Sequence, residues 1–310
     1  MNPAFVLLEL GAAAFFVIAG WLALRRGRLP FLELVSAASF GLLLEQGDQL
    51  IFETYHYSPS FALAIDRAPV VIGLTWALII AGAMRITDAL GVRRRYAPFV
   101  DSLLALMLDL AFDAIAIRME LWTWRGMTLE DGWFGVPAGN FFAWLFVTFG
   151  FSLVTRWLRE LTRSRPALEW LQLLVPIPAF ALLLLPLWPF VVLRPFIDPA
   201  PGSGWGLLAV AVGAFGAVAA WATWGPDRGR PNGAADAILD LRLAFATRLA
   251  VHLVFIGGFV LLGLMPSAPV LLFVALLLLA AEVPLAMLAH RRLEGAVAAP
   301  GPAARATVRP

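Results

Sequence analysis

The sequence predicts an all-α protein, a polytopic transmembrane helix bundle of about nine spans with its N-terminus outside and its C-terminus in the cytoplasm. Three observations carry this. The 310 residues are 61% hydrophobic and only 14% charged, against roughly 25% charged in a soluble domain. Apolar runs long enough to cross a hydrocarbon core of about 30 Å occupy residues 4–24, 31–52, 68–87, 97–117, 137–157, 168–193, 205–224, 247–265 and 268–289. Arginines cluster after the odd-numbered runs: Arg25, Arg26 and Arg28; Arg93, Arg94 and Arg95; Arg156, Arg159, Arg163 and Arg165; Arg228, Arg230 and Arg242; Arg291 and Arg292. The even-numbered loops hold only Arg67, Arg118, Arg125 and Arg194. This alternation fixes the orientation through the positive-inside bias, and span count and orientation support each other.

The first span carries one carboxyl, Glu9, and no cleavable-signal pattern, since Asn2 and Glu9 stand where a basic segment would be. The second climbs outward from about Phe31 and carries Glu45 and Asp48. It ends in Glu53-Thr54-Tyr55-His56-Tyr57, which either roofs a site or, as is commoner for Tyr and His at a span end, anchors the interface. The fourth carries Asp109 and Asp113, leaves the membrane through Leu121-Trp122-Thr123-Trp124, and turns at Gly135-Val136-Pro137 into a fifth span with Asn140 near its start. The sixth holds Pro176, Pro178, Pro186 and Pro189, so it is kinked or divided. Residues 226–246 form the longest cytoplasmic connection, with a short surface helix expected at 234–243. His252 and Glu282, in spans eight and nine, are placed to pair as packing contacts. Asp101 and Glu33 sit near the cytoplasmic interface and need no function. Residues 1–294 form one membrane domain, and the Ala-, Pro-, Gly- and Arg-rich stretch 295–310 is expected to be a disordered cytoplasmic tail. No internal repeat is evident.

Composition excludes several chemistries. There is no cysteine, hence no disulfide, thiolate metal site or cysteine nucleophile. All basic residues are arginine, with no lysine, which reads as the coding bias of a GC-rich genome. The pI near 9.6 reflects arginines at helix ends rather than a nucleic-acid partner. No phosphate loop, HExxH or GxSxG elbow is present. No cofactor and no metal is expected, because His56 is a single loop histidine beside the carboxylates and makes a weak ligand set. The expected location is the cytoplasmic membrane of a bacterium.

The acids near the outer surface stand apart. At 1.5 Å per residue, Glu45 and Asp48 lie roughly 21 and 25 Å up their span, and Asp109 and Asp113 roughly 18 and 24 Å up theirs. Asn140 starts in the same layer. Asp109 and Asp113 share a helix face as an i, i+4 pair, and Glu45 and Asp48 as an i, i+3 pair. An ionisable side chain at membrane depth costs about 2.5–3.5 kcal/mol on insertion scales, so such a cluster marks a buried polar site. Two carboxyls sharing a low-dielectric site cannot both ionise, which leaves one a neutral acid near pH 7. A neutral carboxylic acid can protonate an electron-rich alkene, a carboxylate can steer water onto the resulting cation, and Trp122, Trp124, Trp133 and Trp144 can face that cation with their rings. The competing assignment is packing, with the acids bonded between helices or paired with Arg118 and Arg125.

These residues resemble a known family. Asp109-Leu-Ala-Phe-Asp113, Trp122-Thr-Trp124, Trp133-Phe-Gly135-Val-Pro137, Asn140 and Trp144 are similar to the signature of the carotenoid biosynthesis membrane proteins, among them carotenoid 1,2-hydratases and bisanhydrobacterioruberin hydratases. Phe52-x-x-Tyr55-His56-Tyr57-Ser58 resembles the family's earlier aromatic motif, and the likeness covers roughly residues 42–150. The chain departs from the pattern at Ala114, where proline is expected, at Glu120 and Ala143, where glycine is expected, and at Asp48-Gln49, where the family has Thr-Gly.

The resemblance implies an integral membrane lyase that adds water to a terminal double bond of an acyclic carotenoid or similar polyisoprenoid, drawn from the surrounding lipid and without a redox cofactor. Asp109, Asp113 and Asn140 are the expected catalytic residues. Glu45, Asp48, Tyr55, Tyr57, Trp122, Trp124, Trp133 and Trp144 are expected to contact substrate. A second reading is another isoprenoid- or lipid-modifying membrane enzyme. A third is a proton- or ion-coupled carrier built on the same carboxylates, although no two-fold repeat or matching pair of broken helices accompanies them.

Overall fold

The computed structural model describes residues 3–226, 229, 231 and 236–298. It is an all-α bundle whose helices occupy the predicted apolar runs. In chain order these are α1 (Pro3–Arg26), α2 (Arg28–Gly47), α3 (Val70–Ala89), α4 (Ala97–Ala116), α5 (Ala138–Ser164), α6 (Pro176–Ile197), α7 (Trp205–Trp224), α8 (Ala237–Leu261) and α9 (Pro269–Ala298). Four short strands lie in the loops: β1 (Tyr55–Tyr57), β2 (Ala64–Ile65), β3 (Ala68–Pro69) and β4 (Trp122–Trp124). Among the described residues, eight helices are long and apolar enough to cross a membrane; α4 is not among them. Its aspartates Asp101, Asp109 and Asp113 explain why.

Burial resolves the apparent conflict. Helix α4 is buried along nearly its whole length and packs against α3, α5, α7, α8 and α9. A helix that is apolar on every side belongs at the centre of a bundle, where carboxyls face protein rather than lipid. Helices α1, α6, α7 and α9 instead expose large apolar side chains such as Leu7, Trp188, Val210 and Phe273. That is the expected outer surface of a protein solvated by acyl chains.

Several boundaries differ from expectation. Residues 234–235 of the predicted surface helix lie outside the described residues, and from Ala237 on it is the beginning of α8, which runs unbroken to Leu261 with Asp240 held by Arg26 at 2.7 Å. The sixth span is divided, one of the two forms expected of it, but the break falls at Val175, between a 3₁₀ segment at Pro166–Leu174 and α6, and Pro186 and Pro189 lie within α6. Helix α2 passes into a π-helical turn, Asp48–Phe52, and stops at Glu53 in the left-handed region (φ 49°). Helix α9 continues to Ala298, and residues 299–310 of the expected tail lie outside the described residues.

One end of the bundle carries the arginines, joined across helices: Arg28 to Glu169 at 2.9 Å, Arg94 to Glu160 at 3.3 Å, and Arg292 to the carbonyls of Leu90 and Thr223. Just inside this end, Arg156 bonds Asp101 at 3.1 Å and also Asp88, while Arg159 grips both oxygens of Glu33 (2.6 and 2.7 Å) and reaches Asp88 at 3.2 Å. Asp101 and Glu33 are therefore buried partners in an ion-pair network, not bystanders at the interface. His252 and Glu282 meet at 3.3 Å, joined by a partner the sequence did not suggest: Arg248 bonds Glu282 at 2.6 Å and the Leu104 carbonyl of α4 at 2.8 Å. Glu9 accepts the backbone N–H groups of Ala62 and Leu63. Reporter fusions at residues 94 and 128 are expected to report opposite compartments, with 94 cytoplasmic; a shared compartment would overturn the orientation read from the arginines.

Candidate active site

The site is built at the opposite end, by two loops that the strands tie together. β1 and β4 pair antiparallel, with Tyr55 opposite Trp124, His56 opposite Thr123 and Tyr57 opposite Trp122. Side chains alternate faces along a strand, so both tyrosines and both tryptophans turn inward while His56 and Thr123 are exposed. The rings pack edge to face across the strands, Tyr55 on Trp124 at 4.8 Å and Tyr57 on Trp122 at 6.0 Å. The tyrosines thus roof a site instead of anchoring the interface.

Beneath this roof, α2 presents Glu45, which is 4% exposed. It accepts hydrogen bonds from the Tyr55 hydroxyl, from the Tyr57 hydroxyl at 2.5 Å and from the Trp76 indole N–H at 2.6 Å. Burial, and then the Glu45 carboxyl, push both phenols well above their ordinary value, so near pH 7 they remain O–H donors. Asp48, three residues further on, accepts the Thr54 hydroxyl at 2.8 Å and its backbone N–H at 3.3 Å, which fixes the turn that closes α2.

The aspartate pair lies across from Glu45. Asn140, in the first turn of α5, donates its side-chain amide N–H groups to Asp109 at 2.8 Å and Asp113 at 2.6 Å. The second oxygen of each aspartate is buried without a well-formed hydrogen bond. The α4–α5 connection that sets this geometry needs Gly132 and Gly135 at positive φ (57° and 89°); a Cβ on Gly132 would stand 2.3 Å from the Val136 carbonyl. Neither Arg118 nor Arg125 reaches the aspartates. Arg118 binds the carbonyls of Ala114 and Phe134, and Arg125 pairs with Glu53 at 2.6 Å.

A cavity of about 620 Å³ joins these groups, within the roughly 300–1,000 Å³ typical of small-molecule sites. Glu45, Asp48, Tyr55, Tyr57, Asp113, Trp122, Trp124, Asn140 and Trp144 all line it. Two expected residues do not. Asp109 is fully buried behind Asp113, and Trp133 turns away to donate its indole N–H to the Leu110 carbonyl at 2.9 Å, bracing the turn against α4. Sequence reasoning missed Trp76, which tilts over Trp144 at 4.2 Å, and the apolar wall of α6 formed by Phe180, Leu183 and Leu187. Trp76 had a signal, since a buried indole N–H seeks an acceptor; the α6 wall had none, because an apolar side chain in a span reads alike whether it meets lipid or ligand. Arg125, Arg194 and Ser203 add further polar groups to its lining.

A family model described as carotenoid biosynthesis protein matches residues 1–195. The chain belongs to this family. No curated protein and no solved structure matches the chain. This carotenoid biosynthesis protein is an integral membrane protein with a role in carotenoid metabolism, and the match is broader than the motif region, reaching from α1 to nearly the end of α6. It takes in every carboxyl and aromatic group described at the cavity. Helices α7–α9 lie beyond it and pack against α4.

Proposed function

We propose that the protein is a carotenoid hydratase, an integral membrane lyase adding water to a terminal trisubstituted double bond of an acyclic carotenoid or related polyisoprenoid. The observation that carries this reading is the meeting of a protonatable aspartate pair with a tryptophan-lined apolar cavity. Asp113 lines the cavity and is the acid; Asp109, bridged to it by Asn140, makes double ionisation unfavourable and keeps a proton on the pair. Protonation at the less substituted alkene carbon yields a tertiary cation. Indole faces stabilise such a cation through their quadrupoles, and water adds to give a tertiary alcohol. The carbonyl oxygen of Asn140 is available to orient that water.

The polar side chains that share the cavity with its aromatic and aliphatic walls support hydration over cyclisation, because they give water a place beside the alkene. A substrate dissolved in acyl chains reaches such a site without leaving the bilayer. Expression in a lycopene-producing host, followed by mass spectrometry of the pigments, tests the reading. The expected product gains the mass of one water for each modified end. Unaltered lycopene alongside abundant, membrane-inserted protein would overturn it.

A further inference from the structure

Buried anions are ordinarily paired with a cation. Glu45 is not: it has no salt bridge among the described residues, though it is buried and lines the reaction cavity. It is held instead by three donors. An ionised carboxylate offers about four lone-pair positions; the two tyrosine hydroxyls fill those on Oε2, and Trp76 takes one on Oε1. The indole N–H can only donate, and hydrogen bonds of this kind are strongest to a charged acceptor. One acceptor position on Oε1 remains.

The aspartate pair has the opposite environment. Two carboxyls share the single Asn140 amide, and each keeps a buried oxygen without a well-formed hydrogen bond, the Trp122 indole alone standing near Asp113. One cavity therefore holds a carboxyl pair short of donors and a lone carboxylate well supplied with them. Environments pushed apart in this way assign acid and base.

We infer that Glu45 is a further catalytic residue: the standing carboxylate that faces the carbocation and takes the proton of the attacking water. This rests on the hydration reading above. The Asp113 O–H proton passes to the less substituted alkene carbon, whose π pair forms the new C–H bond. The cation on the neighbouring carbon accepts a lone pair from water, forming the C–O bond. The water proton goes to the open position on Glu45 Oε1. A second cavity water then carries a proton from Glu45 back to Asp113, so the net change is addition of one water. Until the cation forms, Glu45 is an anion without a counter-ion, and such preorganised charge lowers the barrier to the charge it awaits.

The test compares wild type with Glu45→Gln in lycopene-producing cells, at matched amounts of membrane-inserted protein. Glutamine preserves the shape, its carbonyl accepting from Trp76 and its amide donating to the tyrosine oxygens. Hydrated product is expected to fall by roughly 100-fold or more, as for loss of a general base. The double variant Tyr55→Phe with Tyr57→Phe leaves the carboxyl but removes two donors, and at least a ~10-fold loss is expected from the same dependence on a positioned base. Glu45→Gln hydrating at the wild-type level overturns the inference and leaves the hydratase reading intact. If Glu45→Gln fails to accumulate, undiminished hydration by the tyrosine double variant overturns it. A wild type that makes no hydrated pigment removes the hydratase reading itself, and the Glu45 assignment with it.

Discussion

Asp113→Asn is expected to lower hydration by roughly 10²–10⁴-fold, the usual contribution of a general acid, while the protein still inserts and accumulates. Asparagine occupies the same volume and still meets the Asn140 amide, but it carries no transferable proton. Asp109→Asn is expected to remove most activity as well, by a different route. It touches no substrate; it leaves Asp113 without the neighbouring carboxyl whose presence keeps a proton on the pair. The Asp113 variant should be the more severe, because only that carboxyl lines the cavity. The check is the ratio of hydrated to unmodified pigment at equal membrane content. Two stable, fully active variants would reassign the pair to helix packing.

Arg156→Met is expected to cost about 3–5 kcal/mol of stability, the range for removing one partner of a buried ion pair. Asp101 is fully buried and would keep the Ser152 hydroxyl but lose its cation, and Asp88 would lose one of its two. Adding Asp101→Asn should recover part of the loss, since an amide needs no counter-charge. Apparent melting temperatures of the detergent-solubilised variants provide the measurement. An unchanged midpoint for Arg156→Met would mean that the network at the arginine end contributes nothing to holding α3, α4 and α5 together.

Periodicity and charge cost made part of this molecule readable before any coordinate. Apolar runs located every long helix, but not all of its ends: α5 and α9 run on past the predicted limits, α6 starts later and α8 earlier, because polar residues at a helix end do not stop the helix. Asp109, Asp113 and Asn140 stood out because helical spacing puts the aspartates on one face, and the next helix begins at their depth. What escaped was whatever depends on a chain returning to itself. Tyr55 and Tyr57 stand among the expected substrate contacts, but their loop reads more readily as an interface anchor, because their partner strand, Trp122–Trp124, lies far along the sequence, and pairing alone turns the rings inward. Trp133 read as a site residue because a motif carries no information about which way a side chain faces after a glycine turn. Arg248 was passed over because a single arginine in an apolar run declares no partner. Glu282 supplies one from another helix.

The aspartates of α4 also bear on how the protein is made. A nascent α4 leaving the ribosome presents three carboxyls to the translocon, each penalised by about 2.5–3.5 kcal/mol near a helix centre, and its own Leu, Ile, Phe and Val residues, at about 0.3–0.6 kcal/mol each, offset only part of that. The groups that satisfy them, Asn140 and Arg156, arrive only with the next helix, α5. Helix α4 is thus expected to insert poorly by itself, and to enter the bilayer together with α5 as a hairpin whose polar partners are already joined. Synthesis order and chemistry are linked here: the carboxyls that make the cavity reactive also make their helix dependent on its successor for its place in the membrane.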